Sequence, residues 1–187
     1  MALYPWLTQA QVSNTPITSP VPDTPHVVVE TGPDHRVWQR VVSDGLGRFL
    51  TNSFTEISTG LNYFNQATGK WEESQPQFQI TKDGYALADK TQHKLIVSAN
   101  LNTAVAVDLQ SPEHRFQSHV LGLSYFDPVS GKSVLLAEVK DCVGQLVAPN
   151  QIVWPDAFTD FRADYRLTLR RDGVEAHVIL REQPPSP

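Results

Sequence analysis

From residue 26 to about 182, apolar and polar residues alternate with a period of two, which is the signature of strands with one covered face. In "DFRADYRLTLRR" (160–171), Phe161, Ala163, Tyr165, Leu167 and Leu169 fall on one side, with Arg162, Asp164, Arg166, Thr168 and Arg170 on the other. Asp172-Gly173 follows as a hairpin turn, and "VEAHVILRE" returns with Val174, Ala176, Val178 and Leu180 directed inward. Asp83-Gly84 joins "QFQIT" to "YALAD" in the same way. Further strands are predicted at 26–30, 36–42, 48–58, 93–99, 104–109, 116–126 and 133–140. "PDAFTDF" (155–161) is expected to form at most one short helical turn, because Pro155 suits a first helical position. The expected fold is therefore all-β: a large antiparallel two-sheet β-sandwich with several hairpins, or a partly closed barrel.

One stretch occurs twice. "GLNYFNQATGK" (60–70) returns sixty-two positions later as "GLSYFDPVSGK" (122–132), identical at six of eleven positions. "SGKS" resembles the end of a phosphate-binding loop, but the spacing requires a glycine at position 126, which is Phe126. The turn reading has a mechanism. Asn65 or Asp127 caps the turn with its side chain, and Gly69 or Gly131 takes a left-handed conformation that closes the hairpin. Phe54 and Phe116 extend the echo upstream, through duplication or through convergence on one hairpin solution.

Composition narrows the class. A chain of 187 residues suits one domain with a sizeable core, and its net charge of −5 includes no basic block, which speaks against nucleic acid. No apolar run approaches the roughly 20 residues of a membrane helix. Prolines crowd 1–25 and 183–187, so these read as extended linker flanking a single domain at 26–182. That pattern predicts one module of a longer polypeptide.

Candidate chemistry is sparse. The six histidines make no metal-ligand spacing, and the single cysteine, Cys142, has only Lys140 nearby to activate it. No cofactor or metal is expected. Asp156, Asp160 and Asp164 recur at four-residue spacing, but within an alternating stretch that favours strand over helix. Aromatic side chains remain: Trp71, Trp154, Tyr63 and Tyr125 are the candidate binding residues, since exposed rings on a polar sheet face stack on sugars or on protein.

With "HVLGLSYFDPVSGKSVLLAEVKD", "PDAFTDFRADYR" and "LREQPPSP", the chain over about 50–187 resembles the β-rich N-terminal segment of very large, poorly characterised exported bacterial proteins, some of which continue into Rhs/YD-type repeats or lectin-like domains. The resemblance implies a non-catalytic structural or interaction module at the head of a long chain, extracellular or on the cell surface, with a cytoplasmic location as the alternative. Its partners would be other domains of the same chain, a protein or a polysaccharide, with carbohydrate binding as one variant. The competing expectation is a hydrolase whose site is assembled from distant strands around Cys142 or a carboxylate pair.

Overall fold

A computed structural model describes residues 24–185, so most of the expected linker at 1–25 and the last two residues of that at 183–187 lie outside the described residues. The all-β expectation holds: sixteen strands pair antiparallel throughout, and no helix occurs among the described residues. The strands are distributed over five sheets that follow one another along the chain.

A three-stranded meander comes first: β1 (Val27–Thr31), β2 (His35–Ser43) and β3 (Phe49–Ile57). The hairpin of β4 (Asn62–Asn65) and β5 (Lys70–Glu73) follows. A five-stranded meander comes next, with β6 (Gln79–Ile80), β7 (Ala86–Ala88), β8 (Lys94–Val97), β9 (Val107–Gln110) and β10 (Arg115–Ser118). A second hairpin is built from β11 (Gly122–Asp127) and β12 (Lys132–Glu138). The last meander contains β13 (Gln145–Ala148), β14 (Gln151–Trp154), β15 (Ala163–Leu169) and β16 (Val174–Leu180).

The core is shared by the second and third meanders. Ala86, Ala88, Leu95 and Val97 from one join Ile152, Trp154, Leu167 and Leu169 from the other in a single buried cluster. Trp154 has no exposed surface, and its indole N–H donates to the Ala99 carbonyl at 2.9 Å, which pairs the one polar atom the burial would orphan. Gly144 is required beside it, because a Cβ there would sit 2.8 Å from the indole ring.

Several local expectations are corrected. The stretch 116–126 is two strands in two different sheets, broken at 119–121, where Val120 packs against the core instead of extending a ladder. The expectation of at most one helical turn in "PDAFTDF" stands, since none forms: Asp156 and Asp160 adopt positive φ (48° and 51°), outside the helical region, while Ala157, Phe158 and Phe161 are buried. The strands in "QLVAPNQIVW" were not anticipated, although Pro149-Asn150 between two apolar runs is a turn signal. On β16 the expected inward face is paired as foreseen, Tyr165 opposite Val178 and Leu167 opposite Ala176, yet Ala176, Val178 and Leu180 stay exposed because this edge strand runs beyond the core.

Candidate interaction surface

The first meander contributes nothing to the buried core cluster. It is attached to the body at one end, through the β1–β2 turn, and the attachment is polar. Asn62, 1% exposed, is the centre: its Oδ1 accepts from Arg36 Nε (3.0 Å) and Nη2 (2.8 Å), and its Nδ2 donates to the carbonyls of Gly32 (2.7 Å) and His35 (3.2 Å). Every hydrogen-bonding site of that buried amide is engaged. Asp34 forms the second point, accepting from Gly60 N and from Gln92 Nε2, each at 2.8 Å. The Gln92 and Gly60 bonds hold its carboxyl below the usual range. Gly60 itself lies at φ 72°, and a Cβ there would come within 2.1 Å of the Arg171 carbonyl oxygen. The chain can make this close approach only with glycine.

Away from the root, the sheet presents two unlike faces. Pairing places Trp38 opposite Phe54 and Arg36 opposite Glu56 on one face. There Trp38 stacks on Phe54 with centroids 6.1 Å apart, His26 meets Phe54 edge-on at 5.1 Å, and the Trp38 indole N–H donates to Glu56 at 3.0 Å. The other face alternates with it. Val37, Val41, Phe49, Thr51, Thr55 and Ile57 lie there with Ser53, and the only ionisable pair on it is Glu30–His35 at the root. Phe49 is 76% exposed and Ile57 78%, and Val27, Val29 and Val41 are exposed too. A shallow groove of about 350 Å³ lies along it, lined by Pro25, Val27 and Val29 with Gln39, Arg40 and Val41. Among the described residues both faces of this sheet are uncovered, and one of them carries exposed Phe49, Ile57 and valines around a Thr/Ser centre, with Glu30 and His35 at its root.

The aromatic candidates fall in four different settings. Trp154 is interior and offers a ligand nothing to touch. Tyr63 is 8% exposed with its hydroxyl donating to Glu72 at 3.0 Å, which makes it a wall of the first hairpin. Trp71 is half-buried and meets the exposed Phe64 edge-on at 5.4 Å. Tyr125 is half-buried, and its hydroxyl donates to the Pro185 carbonyl, laying the end of the described chain along the second hairpin. These side chains do not converge on one site.

Nor do the ionisable groups converge. Glu72 accepts from Tyr63, Asn65 and Thr68, and those bonds lower its carboxyl. On the outer face of the five-stranded sheet, buried Asp108 is gripped by Arg115 through two bonds (2.8 and 2.6 Å) and by Gln110 at 3.0 Å, which brings its carboxyl to about 2. Asp164 pairs with Arg181 and accepts from Asp156 N, while Asp156 pairs with Lys140 at 2.7 Å, so both of these aspartates are spent on structural partners. Burial pushes the Cys142 thiol up, away from the nucleophilic thiolate. Among the described residues no group of three or more His, Cys, Asp or Glu side chains is placed to hold a metal ion, and no helix is long and apolar enough to cross a membrane.

Sequence reasoning singled out rings and missed the first meander as a surface. The available signal was in β3: "FLTNSFTEI" carries its bulky apolar residues at the ends of one face, with Thr, Ser and Thr between them, too polar a face for a core strand. No protein-family model, curated protein or solved structure matches the chain.

Proposed function

We propose that the chain is a non-catalytic interaction module of a larger, exported polypeptide, and that its first meander is the docking element. The observation that carries this reading is the face bearing exposed Phe49 and Ile57, left open among the described residues on a sheet that is fastened to the body at its root. Burial of this face away from its Glu30–His35 root removes apolar surface from water. The resemblance to the N-terminal segments of exported bacterial proteins supports the same reading, with neighbouring domains as natural partners. Within this reading, the second and third meanders, which share one core, act as the sandwich that carries the docking sheet.

A carbohydrate-binding variant has a single foothold, the half-buried Trp71 beside exposed Phe64, because Trp154 is interior. On a polysaccharide array it predicts binding that falls on Trp71→Ala, and a blank array removes it.

The docking claim is tested by placing a photo-crosslinking amino acid at position 49 or 57 in the organism that makes the protein. Polypeptide cross-links are expected from both positions and not from position 94, at the exposed Lys94 on the body. Absence of cross-links from 49 and 57 overturns the reading.

A further inference from the structure

Among the described residues the first meander has two unpaired edges, β1 and β3, and they are not equivalent. β1 is five residues long and bulged between Val28 and Glu30, which spoils it as a template. β3 is nine residues long, pairs with β2 in one uninterrupted register, and contains no proline, no lysine and no bulge. Edge strands normally carry such devices against further pairing, and on β3 the one charged side chain is Glu56, which accepts from the Trp38 indole.

We infer that the occupant of the β3 edge is β3 of a second copy of this chain, paired antiparallel about a two-fold axis at Ser53. This deepens the docking reading above and rests on it. The strand is self-complementary about that residue. Phe49 and Ile57, the most exposed of the strand's large apolar side chains, stand four positions either side of Ser53 on the same face, so each meets the other across the axis. Thr51 meets Thr55, a favourable cross-strand pair. On the opposite face Asn52 meets Phe54 and Leu50 meets Glu56, so no like charges are opposed. Glu56 lies diagonal to the second copy's Arg48, which in the single chain is paired with Asp44. The contact is isologous, as a closed dimer requires. It joins two three-stranded sheets into one of six strands along a seam of roughly 30 Å, an interface at the small end of the specific class.

The test exploits the axis. A charge at position 53 sits directly against its own symmetry mate, whereas in a monomer it is one more exposed polar residue on the strand. The mass of the full chain is followed by sedimentation from about 1 µM to about 500 µM, for wild type, Ser53→Lys, Ser53→Glu and an equimolar mixture of the two variants, with circular dichroism confirming that each variant is folded. Expected is a wild-type mass that rises toward twofold, variants that stay monomeric alone, and a mixed dimer that returns when they are combined. A wild type that stays monomeric throughout overturns the inference, as does a dimer indifferent to both substitutions or a mixture that fails to recover. If wild type is monomeric while positions 49 and 57 still cross-link, only the second copy falls as partner; if those cross-links are missing as well, the docking reading falls with it.

Discussion

Two buried residues, Asn62 and Trp154, hold the molecule together by opposite means. Asn62 has no apolar role; it binds Arg36 and two carbonyls at the root of the first meander. Asn62→Ala removes the partner of Arg36 and of two carbonyls at a largely buried site, and the expected cost is about 2–3 kcal/mol, read from chemical denaturation, with faster amide exchange in β1–β3. Trp154→Ala empties the centre of the shared core and is expected to cost about 3–5 kcal/mol. Neither role was legible in the sequence. An indole in "QIVW" reads equally well as a surface ring or as core, and only the opposing sheet decides. Asn62 lies thirty positions from the carbonyl it bonds at Gly32, and no local pattern encodes a hydrogen bond over that distance.

Among the elements, the two hairpins show what a sequence does encode. In both, the turn residue caps the loop: Asn65 Oδ1 accepts from Ala67 N, and Asp127 Oδ1 from Val129 N, each at 2.9 Å. Gly69 N and Gly131 N donate back to the carbonyls of residues 65 and 127, each at 2.8 Å, with φ of 66° and 69°. The bonds span four residues, so eleven residues of sequence sufficed to foresee them. A Cβ at either glycine would meet no atom within 4 Å, so Gly69→Ala and Gly131→Ala pay for backbone conformation alone. Equal losses of about 1–2 kcal/mol are expected, measured by thermal denaturation of the two variants side by side. Gly60→Ala, which also collides with Arg171, is expected to lose more than either. Unequal costs at 69 and 131 would show that the echo is one of sequence only. The partition of strands into sheets was less legible than the strands themselves. At 119–121 the apolar pattern continues across the break, because Val120 is needed by the core and not by a ladder.

For the whole molecule, meander, hairpin, meander, hairpin, meander is the order along the chain, and only the last two meanders cover one another. The body has its own acid sensitivity. Asp108 titrates at about 2, below the usual carboxylate, because Arg115 bonds both its oxygens. A lowered folded-state value means that stability is fully present above about pH 4 and is lost as pH falls toward 2, by about 2 kcal/mol. Urea denaturation of wild type and Arg115→Gln across that window should show a shallower pH dependence in the variant. The uncovered face of the first meander was not legible, because alternation reports that one side of a strand is covered and does not report by what. The most direct measurement of the central claim is hydrogen exchange of the β1–β3 amides, made on this chain at low concentration and again in the native assembly. A docking sheet predicts slow exchange of the free β3 edge only in the assembly, with β15 unchanged between the two. Identical β3 exchange in both states would contradict it.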